Sequence, residues 1–273
     1  MAEHLDDIEF TIFDTETTGL LVASGDRIVE IAAIRFKADQ RIATFQALVN
    51  PARPISPAAF VVNRITQEML EDAPKIEVVL PKFLNFIQGS CLCSYNAGFD
   101  LGFLNNELKL IGQGALEGIV VADILKMARR LLPGSERYAL ISVAERLGFK
   151  PKQLHRAFTD VELTLNVFNK LKQILQSKGI SDFAHFSNLF AINTGLLEDL
   201  NAKKINQIQE AIGLGVKLKI KYLSTSGAED SEREVLPKEI RQENNTSYLT
   251  GYCCLRRDER TFRIDGILHL EVV

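Results

Sequence analysis

The sequence lacks three features that would assign it to particular classes of protein. It has no run of about eighteen apolar residues, the minimum for a membrane-spanning helix. None of its four cysteines forms a C-x-x-C pair, so neither a zinc site nor a disulfide framework is indicated. Its net charge of −3 lacks the positive excess of proteins that coat duplex DNA through many phosphate contacts.

The composition is that of a soluble globular protein. The 273 residues are 46% hydrophobic and 25% charged, enough for one large or two ordinary domains. The acidic start of the sequence lacks the basic-then-apolar order of a signal peptide, so we expect a cytoplasmic protein. The slightly negative charge still permits an enzyme that holds a few nucleotides at one end, because bound metal ions supply positive charge locally.

The order of predicted elements indicates an α/β fold followed by an all-β unit. The first three β-rich runs, ending near residue 49, predict antiparallel strands, and later strands alternate with helices, which favours a mixed sheet with a parallel part. From residue 216 onward, five short strands predict a small barrel. We therefore predict a first domain over 1–178, a helical linker over 179–202 and a β-barrel domain over 203–273.

Asp14 and Glu16 lie at the end of an apolar strand. Side chains alternate along a strand, so both carboxylates face the same side, roughly 6 to 7 Å apart. Like charges at that separation favour neutralisation by protons or by a divalent cation. Gly19, which follows in a tight turn, would allow a ligand or another backbone to approach closely. The alternative is that both acids are solvated at an exposed strand end.

Three further residues could belong to the same site, and each has an ordinary structural explanation. Asp100 precedes a helical run and could be its N-cap. Asp160 lies in the first turn of a long helix, where a carboxylate complements the helix dipole. His155 could be an ordinary loop histidine.

Taken together, the four acids predict a metal site. Carboxylates gathered at the carboxyl edge of one sheet are ligands that suit Mg²⁺ or Mn²⁺. Two such ions about 3.5 to 4 Å apart are the device that cleaves phosphodiesters. A neutral histidine nearby has a suitable pKa to accept a proton from the attacking water.

Three stretches resemble the motifs of the DEDDh exonucleases, the group that contains the proofreading epsilon subunit of bacterial DNA polymerase III. They are Phe13 to Leu20, Asn96 to Leu104 and His155 to Glu162. The resemblance covers about residues 8–176 and implies a ribonuclease H-like mixed sheet flanked by helices. It also implies removal of nucleotides from a 3′ end as 5′-monophosphates.

The resemblance implies a role for each matching residue. Two Mg²⁺ or Mn²⁺ ions would be bound by Asp14, Glu16, Asp100 and Asp160, and the general base would be His155. Thr17 and Gly19 would meet the terminal sugar, and Leu20 would wedge against the terminal base. Phe99 would shape the pocket, and Asn96 is a further candidate for substrate binding.

Two positions depart from the pattern of this family. Tyr95 stands where many members have a histidine, and Asn63-Arg64 replaces the usual His-Gly pair. Neither change touches the four acids or the proposed base, so the departures concern how the 3′ end is bound.

The C-terminal stretch resembles a WYL domain, a small Sm-like or SH3-like β-barrel. The matching segments include 220–222, 247–252 and 260–267, with Ser247 in place of the characteristic tryptophan. Tyr248, Arg260 and Arg263 are candidates for binding nucleic acid or a nucleotide-like ligand, because arginine pairs with phosphate and aromatic rings stack on bases. The alternative is that they form a solvated strand face.

These patterns predict a 3′–5′ exonuclease that acts on 3′ ends of nucleic acid, with DNA favoured over RNA. A ribonuclease T-like exoribonuclease is the alternative within the same class. A non-catalytic regulator that uses the WYL domain is the alternative from another class. A relic of a nuclease should have lost at least one ligand or the base, and all five of these residues are present. Association with a polymerase or a repair complex stays open, and no membrane contact is expected.

Overall fold

The computed structural model describes residues 3–151, 156–193, 197–224, 230–243 and 246–273. Its first sheet has the order β3-β2-β1-β4-β5. The strands are β1 (Glu9–Thr17), β2 (Ile28–Lys37), β3 (Gln40–Leu48), β4 (Cys91–Ser94) and β5 (Val121–Asp123). The first three are antiparallel, and β4 and β5 run parallel to β1. This arrangement confirms the predicted mixed sheet.

Nine helices are described: α1 (Pro57–Asn63), α2 (Gln67–Glu71), α3 (Ile76–Ile87), α4 (Ala97–Leu110), α5 (Ile124–Leu131), α6 (Leu140–Arg146), α7 (Ala157–Ser177), α8 (Phe183–Phe190) and α9 (Leu197–Leu214). Both faces of the first sheet are covered, because β1 sends Phe10 and Ile12 into a core with α5 and α7, and Phe13 into a second core with α3 and α4. No described helix is long and apolar enough to cross a membrane.

The start of α4 differs from the prediction. The helix begins at Ala97, and Asn96, in the left-handed conformation with φ 67°, occupies the N-cap position. Asp100 therefore lies inside the first turn, so its interpretation as an N-cap was wrong. The helix can start early because the N–H of Phe99 already donates to the carbonyl of Asn96 over 2.9 Å.

The C-terminal segment forms a second, entirely antiparallel sheet in the order β10-β6-β7-β8-β9. Its strands are β6 (Leu218–Leu223), β7 (Asp230–Glu243), β8 (Thr246–Cys253), β9 (Asp258–Arg263) and β10 (Ile267–Val272). Ile208 and Ala211 of α9 pack into its core. The all-β C-terminal unit is thereby confirmed. Helix α9 runs through the expected boundary between residues 202 and 203, and the exact domain limits stay a prediction.

The two sheets share part of one hydrophobic core. Leu223 of β6 and Leu268 of β10 belong to the same buried cluster as Leu131 of α5 and Leu189 of α8. Polar contacts cross the same interface, where the side-chain amide of Asn188 donates to a backbone carbonyl of the C-terminal segment over 3.0 Å. The C-terminal sheet is therefore packed against α5 and α8.

Candidate active site

Three carboxylates meet where β1 ends. Oxygen atoms of Asp14, Glu16 and Asp160 all lie within 4.8 Å of one another. Asp14 and Glu16 share a face of β1 because side chains alternate along a strand, and Asp160 reaches them from the first turn of α7. The predicted convergence of these three acids is present in the structure.

Asp100 is fixed from the neighbouring strands. One of its carboxylate oxygens accepts bonds from the backbone N–H and the hydroxyl of Thr15, at 3.0 and 2.6 Å. The other oxygen accepts a bond from the Ser94 hydroxyl at 2.6 Å. Asp100 is 2% exposed, so β1 and β4 hold this carboxylate in one position beside Asp14.

The electrostatics of the cluster favour a bound cation. Burial raises the pKa of Asp14 well above its ordinary value, and the nearby charges of Asp100 and Glu16 raise it further. Burial together with the charge of Asp160 raises the pKa of Glu16 to about 8. Burial also raises the pKa of Asp100 to about 6, against the lowering effect of its hydrogen bonds. A divalent cation would remove the repulsion that produces these shifts.

An ion pair beside the cluster positions the start of α7. Arg156, at the N-cap position, donates to both oxygens of Glu30 at 2.9 and 3.1 Å. The N–H of Ala157 also donates to Glu30, at 3.3 Å. Because α7 carries Asp160, this pair sets where that ligand lies. The sequence analysis missed Glu30, whose only signal was a charged residue inside the apolar run of β2.

The turn after β1 is built around Asp26. Its carboxylate accepts a bond from the Thr18 hydroxyl at 2.9 Å and from the N–H of Leu21 at 3.1 Å. A Cβ on Gly19 would overlap that carboxylate. The close approach predicted at Gly19 is therefore made by a side chain of the same turn, while Thr17 donates from its hydroxyl to the carbonyl of Gly19 over 2.5 Å.

A cleft of about 580 Å³ opens beside the acids. Leu20, with 78% of its surface exposed, lies at the rim, and Phe99 forms part of the wall, with its ring tilted against that of Phe103 at 4.9 Å between ring centres. The residues of the cleft that were candidates from the sequence are Asp14, Glu16, Thr17, Gly19, Leu20, Phe99 and Asp160.

Helix α1 contributes a wall of the cleft that the sequence analysis did not assign. Ala59 and Val62 line it, and the side-chain amide of Asn63 donates to the carbonyl of Thr17 over 3.3 Å. The signal for this helix was Ser56 followed by Pro57, an N-cap residue before a proline at the first helical position.

The other candidate residues lie elsewhere or outside the described residues. Asn96 is exposed at the start of α4 and is not among the residues that line the cleft; its N–H donates to Asp123 over 3.3 Å. His155 falls outside the described residues. Tyr248 and Arg263 are cross-strand neighbours in β8 and β9, and Arg260 lies opposite a glycine of β8.

The donor set fits a hard divalent cation. Carboxylate oxygens are the preferred ligands of Mg²⁺ and Mn²⁺, and three of them lie close enough together to share an ion. The guanidinium of Arg156 lies beside the acid cluster, and its ion pair with Glu30 already neutralises its charge.

The mixed five-stranded sheet with acids at its carboxyl edge defines the class, the ribonuclease H-like exonuclease fold. The RNase_T family model, described as Exonuclease, matches residues 11–168, and the WYL domain model matches residues 203–272. The chain belongs to this exonuclease family and carries a WYL domain at its C-terminal side.

Relatives and solved structures agree with this assignment. DNA polymerase III subunit epsilon of Treponema pallidum is 39% identical over 166 residues, 60% of this chain and 76% of that protein. The epsilon-like protein of Rhodobacter capsulatus is 36% identical over 202 residues, 72% of this chain and 28% of that protein. Exonuclease X in complex with 5′ overhanging duplex DNA superposes with a TM-score of 0.50 at 30% identity, covering 62% of this chain and 93% of that chain.

The chain spans a small part of several longer relatives. It matches 14% of the length of the PolC-type DNA polymerase III of Caldanaerobacter subterraneus, at 37% identity over 72% of this chain.

Proposed function

We propose that this protein is a metal-dependent 3′–5′ exonuclease that releases nucleoside 5′-monophosphates from DNA. The observation that carries the proposal is the cluster of Asp14, Glu16 and Asp160, three carboxylates within 4.8 Å of one another beside a cleft of about 580 Å³. The family assignment and the epsilon-type relatives support the same reaction.

The acids of the site would hold two Mg²⁺ or Mn²⁺ ions, bound by Asp14, Glu16, Asp100 and Asp160. Such ions activate water and stabilise the leaving oxygen of a phosphodiester. His155, from its place in the third motif, is proposed as the base that accepts the proton of the attacking water. Hydrogen bonds from Thr15 and Ser94 orient the carboxylate of Asp100 for this role.

The cleft would receive the 3′-terminal nucleotide. Thr17 and Gly19 are proposed to contact the sugar, Leu20 to pack against the terminal base, and Phe99 to shape the wall. The high exposure of Leu20 supports this role, because an apolar side chain at the rim of a cleft is available to stack on a base. Asn96, at the start of α4, is proposed to contact the substrate from outside the cleft.

DNA is favoured as the substrate over RNA. The relatives are named as DNA polymerase III subunits, and Exonuclease X was solved with duplex DNA. The same names support association with a polymerase or a repair complex. In the C-terminal sheet, Tyr248, Arg260 and Arg263 are proposed as a secondary surface for nucleic acid.

Degradation of a 5′-labelled single-stranded oligonucleotide in the presence of Mg²⁺ or Mn²⁺ tests the proposal. We expect a ladder that shortens from the 3′ end, and we expect Asp14→Ala to abolish it. The matched control is Asp72→Ala, which removes an exposed carboxylate at the end of α2 and should retain activity. Undiminished degradation by Asp14→Ala would overturn the metal mechanism.

Matched DNA and RNA oligonucleotides separate the two substrate classes. The 2′-hydroxyl is the group by which a protein distinguishes RNA from DNA at one site. Faster degradation of the RNA strand would assign the protein to the exoribonuclease alternative. Tight binding of both strands without turnover would instead support a non-catalytic regulator.

A further inference from the structure

A second cavity lies between the exonuclease fold and the C-terminal sheet. It measures about 300 Å³ and is lined by Asp123, Lys126, Arg129, Arg130 and Arg263. The first four belong to the end of β5 and to α5, and Arg263 ends β9. A volume of about 300 Å³ is at the lower end of the range for small-ligand pockets.

The cavity carries an excess of positive charge. Four cations line it, and the acids that face them are Asp123 and Asp265. Asp265 is bound by the guanidinium of Arg263 at 2.7 and 3.1 Å. Lys126 donates to a backbone carbonyl over 3.4 Å. Arg129 is exposed, and it forms no ion pair in the part of the chain that the structure describes.

Arg130 supplies a second, independent observation at this cavity. Its side chain is 3% exposed, and its Nε has no hydrogen-bond partner among the residues that the structure describes. One of its terminal nitrogens donates to the carbonyl of Leu223 at 3.3 Å and lies 3.7 Å from Asp265. A buried guanidinium N–H without an acceptor is costly, and an anion in the cavity would provide acceptors there.

One residue that lines the cavity, Asp123, lies at the same edge of the first sheet as the acids. Cys93 in β4 is level with both Ile12 in β1 and Ala122 in β5. Asp14 follows Ile12 by two residues and Asp123 follows Ala122 by one. Since neighbouring strands are about 4.8 Å apart, β1 and β5 are separated by about 10 Å. Asp14 and Asp123 therefore lie towards the ends of their strands and close to one another at this edge of the sheet.

We propose that this cavity is a phosphate-binding site shared by the two sheets, with Lys126 and Arg129 as its accessible cations. Arginine and lysine are the side chains that recognise phosphate, through paired hydrogen bonds and through point charge respectively. The phosphate belongs either to the backbone of a strand whose 3′ end lies at the acids or to a free nucleotide. The first source rests on the proposed function, and the second does not.

The double variant Lys126→Gln/Arg129→Gln removes two charges and leaves the contacts of Arg130 and Arg263 intact. Glutamine at 126 retains an N–H donor for the carbonyl of Ala191. The matched control, Lys82→Gln/Lys109→Gln, removes two exposed charges from α3 and α4, on the opposite face of the sheet. Thermal unfolding of each variant verifies the fold, and the single variant Arg129→Gln at an exposed position serves if the double variant does not fold.

Binding is measured in EDTA, so that cleavage does not occur and loss of catalysis cannot change the result. The probes are a twelve-nucleotide oligothymidylate, thymidine 5′-monophosphate and inorganic phosphate. If the site takes a backbone phosphate, the double variant should bind the oligonucleotide at least about tenfold more weakly, with the slope of log Kd against log salt reduced by about one to two.

If the site takes a free nucleotide, the double variant should lose inorganic phosphate and the monophosphate while its oligonucleotide affinity remains within about twofold of wild type. Either result supports a phosphate site and identifies its source. The proposal is overturned if all three probes bind the double variant as tightly as wild type. It is also overturned if the control variant loses the same affinity, because the effect would then come from net charge alone.

Discussion

Two glutamates, Glu30 fully buried and Glu16 partly exposed, face each other across β1 and β2 and behave in opposite ways. Glu16 is directly paired with Glu30 in the register of the two strands. Burial and the charge of Asp160 raise the pKa of Glu16 to about 8. Burial alone would also raise the pKa of Glu30, but hydrogen bonds from Arg156 and Gln46 lower it below its ordinary value.

The difference lies in the neighbouring charges. Glu30 has an arginine within 2.9 Å, whereas the charged groups that act most strongly on Glu16 are other carboxylates. Burial of a charge is tolerated when it is paired and hydrogen-bonded. The paired glutamate therefore stabilises the fold, and the unpaired one stores repulsion that a divalent cation would relieve. This distinction separates a structural carboxylate from a ligand more clearly than burial does.

The largest effect is expected from Asp14→Asn. Asp14 feels the charges of Asp100, Glu16 and Asp160 together, and it would help to hold both metal ions. Its replacement should lower the single-turnover rate by at least about a thousandfold, equivalent to about 4 kcal/mol of transition-state stabilisation. Asp160→Asn and Asp100→Asn are measured for comparison. A larger loss of rate in either of these variants would contradict the proposal that Asp14 contributes most to holding the metal ions.

A smaller loss is expected from Glu30→Gln, which breaks the paired side of the comparison. Arg156 would lose its carboxylate and the start of α7 would shift, moving Asp160 away from the other ligands. We expect a roughly tenfold lower kcat and a free energy of unfolding reduced by about 1 to 3 kcal/mol.

The control for Glu30→Gln is Glu234→Gln, which removes the acid of a surface pair with Lys217. The side chains of that pair are 53% and 49% exposed, so its loss should cost less than about 1 kcal/mol and leave kcat unchanged. Urea unfolding and initial rates measure both variants. Equal losses of stability would show that the buried pair is no more important than a surface pair.

The smallest effect concerns pH and stability without metal. Folded Glu16 keeps its proton up to about pH 8, whereas its ordinary value is 4.5. The folded state therefore binds more protons between these values, and the free energy of unfolding should fall as the pH rises through this window. Excess Mg²⁺ should flatten the dependence.

Glu16→Gln tests the same window by removing the titrating group. At pH 8 without metal, this variant should melt about 2 to 4 °C above wild type while losing nuclease activity. Scanning calorimetry at pH 5 and pH 8 in EDTA measures the melting temperatures, and degradation of the labelled oligonucleotide with Mg²⁺ measures the activity. A melting temperature of wild type that rises between these two pH values would contradict the repulsion described for the site.

The sequence allowed much of the acid site to be predicted because its geometry is local. Alternation along one strand puts Asp14 and Glu16 on the same face, and the start of one helix supplies Asp160. The exact start of α4 was missed, since Asn96 takes a left-handed conformation that ordinary N-cap patterns do not signal. The position of Asn96 at the start of α4 therefore could not be deduced from the spacing of residues in the sequence.

The remaining features depend on contacts between distant segments. Glu30 contacts Arg156, which lies 126 positions away in the sequence. Helix α1 forms a wall of the cleft only because the chain after β3 returns to the end of β1. Arg130 and Arg263 come together through packing of the second sheet on α5. A single sequence carries no local pattern for such pairings, which arise when whole elements pack.

Leu223 and Leu268 make the C-terminal sheet part of the larger core, so the unfolding of the two sheets is coupled. Removing the sheet would leave apolar surface of α5 and α8 in water, at about 25 cal/mol for each Å² exposed. The two sheets should therefore unfold together in one calorimetric transition. A ligand that tightens the cavity lined by Arg130 would then raise the melting temperature of the whole chain, including the strand that carries Asp14.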